Sequence, residues 1–489
     1  MTVLALVLYG MALAFAVRVV WRAPVSALFF FLVGLALHNL AAALLWDAGV
    51  RGIPLDLILA WKEILLATAL ARVAFDAWRA RRLPFEPRVV DALALAFAFV
   101  ATLYALIPQG MLDGEAGREA ILYGLRHALV PVAAYLLGRS LVLGSRDLRR
   151  LGWTIFVVAG AVGLFGLVDL YTLDVEWWSG SGAVGYFGDQ LGFDLHGPGR
   201  LPENFAFNTD EGVFRRLVST FISPLGTAFV LVVALLLAAS PGRHWRRRAL
   251  LLPLGAVLVT ALVFTLSRSA VIALAAGLVL LALVRRSPWH LAGAALVLAA
   301  GFWFAVAFPS IAPETHFFPA DLVYQEEQAR LKGGLPEETI LSPGDPSIRS
   351  HLSSLRAGLE RVARHPQGYG LGNAGATARR FDEPLKAGES NYAEIGVETG
   401  LLGLALFLAW NLALLAGLIR QARNAPDEDV RWAAGGVAAA LGAILVLAVQ
   451  TDAYGVPWLA YGLWWICGAL LLPVPALAAA RRATTAGPA

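Results

Sequence analysis

The stretch WHLAGAALVLAAGFWFAVA, residues 289–307, decides the fold class. It runs for 19 residues without an Asp, Glu, Lys or Arg, and a helix that crosses a bilayer needs about 20 mostly apolar residues. Similar stretches recur along the chain of 489 residues, which is 58% hydrophobic and only 15% charged, whereas soluble domains are about one quarter charged. The sequence therefore predicts an all-α polytopic integral membrane protein.

The apolar stretches predict about 13 transmembrane helices (~12–14), each close to the length of a bilayer span. They run near residues 3–19, 24–46, 53–75, 89–107, 120–143, 152–170, 217–239, 249–266, 269–284, 289–307, 392–419, 432–450 and 457–479. The first stretch lacks a basic segment and a cleavage site, so we interpret it as a retained helix. The single cysteine, Cys467, excludes a disulfide within one chain.

Positive charge clusters in alternate short loops between these stretches. Basic groups lie within residues 79–88, 146–150, 243–248, 285–286 and 481–482. Because cytoplasmic loops are enriched in Lys and Arg, these loops are predicted to face the cytoplasm, and the N-terminus then lies outside. The same pattern explains the net charge of +4 without a nucleic-acid partner.

The hydropathy pattern divides the chain into three predicted parts. Residues 1–307 carry ten spans and an extracytoplasmic loop at about 171–215, residues 308–391 form a large extracytoplasmic loop module, and residues 392–489 carry the last spans. Within the module, Asp345 and Pro346 favour a helix start. The following apolar residues are spaced as on one helix face: Leu352, Leu355, Leu359 and Val362. We expect this helix to lie against the membrane domain as a lid.

Several ionisable residues fall inside predicted spans, where they are either functional or held in structural pairs. Lys62 and Glu63 are adjacent, so they are expected to point to different faces and not to neutralise each other. Arg126 lies near the outer end of another span, whereas Arg72 and Asp76 are four residues apart and are predicted to pair on one face.

Two arginines stand at the predicted outer boundary, where the charge rule expects few. Arg216 follows Arg215 at the start of a span, and Arg268 joins two apolar stretches that are too close for a loop. A guanidinium group binds phosphate oxygens through parallel hydrogen bonds and stays charged. Arg216 and Arg268 are therefore predicted to form a pyrophosphate clamp, the alternative being that each anchors its helix at the interface.

Five short motifs resemble the O-antigen ligase and O-antigen polymerase superfamily in order and spacing. They are RLVSTFISP (216–224), LSRSA (266–270), HPQGYGLG (365–372), ESNY (389–392) and ETGLLG (398–403). The resemblance implies a metal-independent, GT-C-like glycosyltransferase of the bacterial inner membrane, with no cofactor and an active site on the periplasmic side. It implies an undecaprenyl-pyrophosphate-linked glycan as donor, bound by Arg216 and Arg268. The implied partners are a glycan acceptor, which is a lipid-linked repeat or lipid A–core, membrane lipid and a chain-length regulator protein.

The residue at position 389 bears on which branch the chain resembles. Ligases of the superfamily usually carry His followed by Asn where this chain has Glu389 and Ser390, and the Glu form looks more like the polysaccharide polymerases. A carboxylate at Glu389 could act as the base that activates the acceptor hydroxyl. His351 and His365 are the other candidate bases. Further donor or acceptor contacts are expected from Lys62, Arg126, Arg215, Asn391 and Tyr392.

Three functions remain open at this point. A polymerase of lipid-linked repeats is favoured, and a single displacement would invert the configuration at the anomeric carbon. The second is a ligase that transfers the glycan to lipid A–core, or a protein O-oligosaccharyltransferase. The third is a transporter or flippase of lipid-linked glycan, which the absence of an internal repeat in the sequence disfavours.

Overall fold

The computed structural model describes residues 2–209, 212–240, 248–319, 321–324, 327, 346–388 and 390–471. It is 77% helical, as the apolar stretches predicted. The helices of the first half are α1 (Thr2–Arg22), α2 (Ser26–Asp47), α3 (Ile53–Leu59), α4 (Trp61–Ala80), α5 (Val89–Leu106), α6 (Arg118–Ser140), α7 (Ser145–Thr172), α8 (Val175–Gly180) and α9 (Ala183–Gly185). Those of the second half are α10 (Pro224–Ala239), α11 (Arg248–Phe264), α12 (Arg268–Arg285), α13 (Pro288–Ile311), α14 (Pro346–Arg364), α15 (Gly375–Arg380), α16 (Asn391–Asn424), α17 (Glu428–Leu447) and α18 (Trp464–Leu470).

Nine helices of the described part of the chain are long and apolar enough to cross a bilayer. They are α1, α2, α5, α6, α7, α12, α13, α16 and α17, and shorter apolar segments occur at Pro224–Ala239, Leu252–Phe264 and Leu459–Leu470. The chain is thus a multi-pass membrane protein, but the predicted count of about 13 spans is not confirmed. The predicted span at 53–75, for example, is not one continuous helix. It is broken at Ala60 into α3 and α4, and α4 carries charged residues.

The helices pack closely where their sequences are rich in small residues. In α17, 83% of the most apolar 18-residue stretch is buried inside the protein, whereas in α1 the corresponding share is 11%. Helix α17 is therefore central and α1 peripheral. Helices α6 and α18 cross at Gly138 and Gly468, where an added Cβ would lie 2.0 Å from the Trp465 carbonyl oxygen or 2.2 Å from that of Tyr135. Small residues at such crossings let backbones approach and increase van der Waals contact within a membrane.

The loops form two groups, and the contacts described below join loops of the same group. One group is the set of arginine-rich loops predicted as cytoplasmic, and the other is the set predicted as extracytoplasmic. In the set predicted as cytoplasmic, Arg149 pairs with Asp429 at 3.1 Å, and the Arg285 guanidinium donates to the Arg431 carbonyl oxygen at 3.0 Å. The arginines predicted on this side at 243, 246, 247, 481 and 482 lie outside the described residues. In the set predicted as extracytoplasmic, Lys386 pairs with Glu115 at 2.7 Å.

A small antiparallel sheet joins the two long segments predicted to be extracytoplasmic, at about 171–215 and 308–391, which we call the outer segments, the second being the outer module. The sheet departs from the predicted all-α architecture. Strand β1 (Ala206–Thr209) pairs with β2 (Gly212–Arg215), and β2 pairs with β3 (Glu314–Thr315). Phe214 on β2 is buried and contacts Phe308 of α13, with ring centroids 6.4 Å apart. Burial of aromatic residues on one face of a strand stabilises the sheet at the end of α13.

Helix α14 packs against the first turns of α16. Val362 is 3% exposed and lies in one apolar cluster with Ala393 and Val397. The rest of its apolar face is less covered, since Leu352 is 62% and Leu359 45% exposed. The helix ends before Pro366, as predicted, whereas the predicted N-cap residue Asp345 lies outside the described residues.

Candidate functional site

The segment that carries Arg216 is not helical, contrary to the predicted span at 217–239. Helix α10 begins only at Pro224, with the Ser223 side chain accepting from the Gly226 backbone N–H. Ahead of it, the Ser219 hydroxyl donates to the Val162 carbonyl oxygen at 2.6 Å and the Thr220 hydroxyl to that of Ala36 at 2.5 Å. These hydroxyls bond to α7 and α2, so the segment stays irregular but buried, which a membrane domain tolerates inside protein.

Arg268 is the first residue of α12, directly after the short junction that the sequence predicted. Helix α11 ends at Phe264, and the Ser267 hydroxyl accepts from the Ala270 backbone N–H to cap α12. Leu266 adopts a left-handed conformation, with φ of 44°, which allows the chain to reverse within three residues. The N-terminus of a helix carries partial positive charge, so the α12 dipole adds to the Arg268 cation.

The structure brings Arg216 and Arg268 together. The Arg216 Nε donates to the Thr265 carbonyl oxygen at 2.8 Å, and its Nη2 contacts that of Leu266 at 3.4 Å. Burial, together with the nearby Arg268 charge, lowers the pKa of Arg216 to about 10. Among the described residues Arg216 has no carboxylate within ion-pair distance. A half-buried cation held by backbone carbonyls beside a second cation favours the binding of an anion.

Arg215, the neighbour of Arg216, points to a different environment. Its Nη2 lies 2.7 Å from Asp169 Oδ1, and both side chains are at most 3% exposed. Asp169 also accepts a hydrogen bond from Trp178 Nε1 at 2.7 Å, and the Arg215 guanidinium lies over the Phe205 ring. This arrangement links α7, α8 and β2. We therefore interpret Arg215 as a structural residue that fixes the strand leading to Arg216.

Lys62, Glu63 and Arg126 form one charged cluster. Lys62 Nζ lies 3.5 Å from Glu63 Oε2, so the expectation that these neighbours do not neutralise each other was wrong. The long Lys62 side chain reaches back beside the start of α4, where its ammonium also donates to the Leu59 carbonyl oxygen at 2.7 Å. Arg126 contacts Glu63 Oε1 through Nε at 2.8 Å and Nη2 at 2.5 Å. The predicted pair of Arg72 and Asp76 is confirmed, at 3.0 Å.

The charged cluster lines a cavity of about 440 Å³, a size typical of ligand pockets. The wall formed by membrane helices includes His38, Lys62, Glu63, Arg126, His127 and Tyr461. The two outer segments contribute Tyr186, Phe187 and Leu191 from one side and Arg380 from the other. The Arg380 guanidinium lies 4.6 Å from the centre of the Tyr123 ring, which also lines the cavity. The cavity thus lies where both outer segments meet the helices.

A second polar group, at the start of α16, connects with the same cavity. Asn391 donates to Asp452 Oδ1 at 2.7 Å, and His127 Nε2 lies 3.4 Å from the same oxygen. The Gly455 backbone N–H also donates to it, at 2.7 Å. Burial alone would raise the pKa of Asp452, but His127 and these hydrogen bonds hold it below its ordinary value. Sequence reasoning missed Asp452, although its polar position between two apolar stretches was a usable signal.

The other residues predicted from the sequence to act at the site are Tyr392, His365, Glu389 and His351. Tyr392 donates its hydroxyl to the Leu445 carbonyl oxygen at 2.7 Å, which joins α16 to α17. His365 Nε2 lies 3.1 Å from the Leu112 carbonyl oxygen, and its ring stacks on Tyr369. Glu389 and the side chain of His351 lie outside the described residues. Neither the Arg216 side chain nor that of Arg268 lines the cavity.

The motifs at 365–372 and 398–403 meet through backbone hydrogen bonds. The Tyr369 N–H donates to the Val397 carbonyl oxygen at 2.7 Å, and the Gly372 N–H donates to Glu398 Oε1 at 2.8 Å. Gly400 interrupts α16 with φ of 68°, and an added Cβ there would lie 2.4 Å from the Pro366 carbonyl oxygen. Glycine is needed at this close approach, which fixes the outer module on α16.

Comparison with known protein families covers four of the five motifs, and the first motif, at 216–224, lies outside the matched residues. No curated protein matches the chain. A protein-family model described as O-antigen ligase matches residues 253–408, a range that contains Arg268, the outer module and the start of α16. This match supports the assignment of the chain to the O-antigen ligase and O-antigen polymerase superfamily.

Proposed function

We propose that the protein is a membrane glycosyltransferase that polymerises undecaprenyl-pyrophosphate-linked oligosaccharide repeats into a surface polysaccharide. The observation that carries the proposal is the closeness of Arg216 and Arg268, with the Arg216 guanidinium 2.8 Å from the Thr265 carbonyl oxygen in the junction before α12. Two arginines close enough to interact electrostatically, one of them the first residue of a helix, suit a pyrophosphate in charge and in hydrogen-bonding groups.

Charge develops on the pyrophosphate as the bond to the sugar breaks, and fixed cations stabilise that charge in the transition state. The clamp would hold the leaving group without moving, because Arg216 is bound to backbone carbonyl oxygens rather than to a flexible side chain. The acceptor hydroxyl would displace the pyrophosphate in a single step with inversion at the anomeric carbon. Neither a cofactor nor a metal is required by this proposal.

The cavity is the proposed place for the sugar residues. Its wall combines the aromatic side chains Tyr186, Phe187 and Tyr461 with the charged groups of Lys62 and Arg126. A wall of this composition gives apolar faces and a few fixed polar groups, as ligand pockets usually do. We keep Lys62 and Arg126 as proposed glycan contacts, and Glu389 and Asn391 as groups beside the acceptor.

The loop contacts support the same orientation for the enzyme. The cavity is bounded by the segments at 186–191 and 380, which belong to the loops without the arginine bias, while the arginine-rich loops contact one another elsewhere. The charge rule then favours a periplasmic active site in the inner membrane. A chain-length regulator protein is a proposed partner on that side.

A ligase is the second candidate, because the matching family model is described as O-antigen ligase. The two activities differ in the acceptor. Purified protein with a lipid-linked repeat as the sole substrate would lengthen the chain if it is a polymerase, and a ladder on a gel would show this. If growth is absent and the glycan moves only when lipid A–core is added, the polymerase proposal is wrong and the ligase is supported.

A further inference from the structure

A histidine in the cavity wall is paired with an aspartate, and the proposed clamp uses neither residue. His127 of α6 lines the cavity, and its Nε2 lies 3.4 Å from Asp452 Oδ1. Asp452 is itself fixed, because the same oxygen accepts from Asn391 Nδ2 and the Gly455 N–H, each at 2.7 Å. A fixed carboxylate beside one ring nitrogen favours the tautomer with its proton there. The other ring nitrogen, Nδ1, is then left as a base.

We propose that His127, positioned by Asp452, accepts the proton of the acceptor sugar hydroxyl during glycan transfer. This inference rests on the proposed function and specifies its acceptor site. In the step, the hydroxyl oxygen forms a bond to the anomeric carbon while its proton passes to His127. The bond from that carbon to the phosphate oxygen breaks, and undecaprenyl pyrophosphate leaves with the electron pair. The imidazolium then releases the proton to water.

One residue of the cavity wall is hydrogen-bonded to the segment that follows Arg216, although neither clamp arginine lines the cavity. Asn39, which lines the cavity, donates to the Phe221 carbonyl oxygen at 2.8 Å, in the irregular segment that follows Arg216. His127 lines the same cavity, so a glycan in it could contact both His127 and Asn39. Asn391, which binds Asp452, also lies two positions after Glu389 in the ESNY motif. The predicted base Glu389 and the pair proposed here are therefore alternatives that one experiment can separate.

The charges around the ring are mixed. The carboxylates of Asp452 and Glu398 and the cation of Arg126, on the same helix, are the charges nearest the ring. Across the cavity stand the charged groups of Lys62, Glu63, Asp56 and Arg380 and the hydroxyls of Tyr123, Tyr186, Tyr454 and Tyr461. Asp452 is the only one of these groups at ion-pair distance from His127 among the described residues. It should therefore have the largest influence on proton uptake.

The test is the pH dependence of kcat/KM for purified full-length protein with lipid-linked donor and acceptor. Wild type should lose activity as the pH falls and His127 takes up a proton. We expect H127Q to lower kcat by about 100- to 10,000-fold, the usual contribution of a general base, and to abolish the acid limb. D452N should keep that limb but move it to lower pH, because the carboxylate no longer stabilises the imidazolium.

Two outcomes would overturn the assignment. One is an acid limb that persists in H127Q but disappears in E389Q, which would make Glu389 the base. The other is H127A protein that melts like wild type but gains no activity from added imidazole, since a lost base should be restored by it. If H127A does not fold, H127Q carries the test. Failure of the proposed function would look different, because wild type itself would then transfer no glycan.

Discussion

Arg216 donates a 2.8 Å hydrogen bond from its Nε to the carbonyl oxygen of Thr265. This contact places a guanidinium from the segment before α10 against the junction of α11 and α12, although the two residues are 49 positions apart. The backbone is bonded there as well, because the Leu217 N–H donates to the Phe264 carbonyl oxygen at 3.0 Å. The proposed clamp would thus be held by the packing of the helices.

Removing either clamp arginine should abolish transfer while the protein still inserts. We expect Arg216→Ala and Arg268→Ala each to lower the rate at least about 100-fold, as loss of a fixed transition-state donor does. Arg216→Lys should recover only part of this activity, because an ammonium lacks the fork that binds two oxygens. Polymer length on gels, normalised to membrane protein level, is the measurement. Arg72→Ala is the control, and long polymer in either clamp variant would contradict the assignment.

Binding of a pyrophosphate should weaken at high pH. Burial and Arg268 lower the pKa of Arg216 to about 10, so the cation is present at neutral pH and is lost as the pH rises past that value. The Kd of geranyl pyrophosphate, a short lipid pyrophosphate, should stay constant from pH 7.5 to 9 and rise by pH 10.5. In Arg216→Ala the affinity should be low at every pH. A wild-type Kd that is unchanged at pH 10.5, with the melting temperature also unchanged, would argue against Arg216 as a ligand.

How far the sequence determined this site depends on the kind of interaction. Arg216 and Arg268 stand out in the sequence because each lies at the end of an apolar stretch, where a cation is unusual, and the structure places them close together. The contact of Lys62 with Glu63 could not be predicted, because helix periodicity places neighbouring Cβ atoms but says little about where long side chains end. The segment before Pro224 has the apolar sequence expected of a membrane helix, so its irregular backbone could not be predicted. In the structure the segment is distinguished by the hydrogen bonds of the Ser219 and Thr220 hydroxyls.

The buried pair of Arg215 and Asp169 should matter for stability more than for chemistry. In Arg215→Ala, Asp169 would stay buried without its partner. Removing one member of a buried ion pair destabilises proteins by about 3–5 kcal/mol. The exposed pair of Arg72 and Asp76 is the matched control, since such pairs contribute about 0–1 kcal/mol. Free energies of unfolding in mixed micelles would measure both. Equal effects of Arg215→Ala and Arg72→Ala would mean that Arg215 has no special structural role.

Opposite sidedness of two exposed leucines would test the orientation of the active site. Leu352 on α14 is 62% exposed, and Leu83, in the arginine-rich loop after α4, is 68% exposed. A cysteine at position 352 should react with a membrane-impermeant maleimide on spheroplasts, whereas a cysteine at position 83 should react only after lysis. The native Cys467 is buried and should give little background. Labelling of position 83 before lysis would reverse the topology and remove the clamp from the periplasmic side.

Gly375 should be required for the arrangement around Asn391, because it leaves room for a buried carboxylate. Its φ is 57°, and an added Cβ would lie 1.6 Å from Glu394 Oε1. Glu394 Oε2 in turn accepts from Asn391 Nδ2 at 3.2 Å. Gly375→Ala should therefore displace Glu394, disturb Asn391 and Asp452, and lower both activity and thermal stability. The matched control is Gly110→Ala, where nothing lies within 4 Å of the added Cβ. Normal activity in Gly375→Ala would show that the outer module can shift without affecting Asp452.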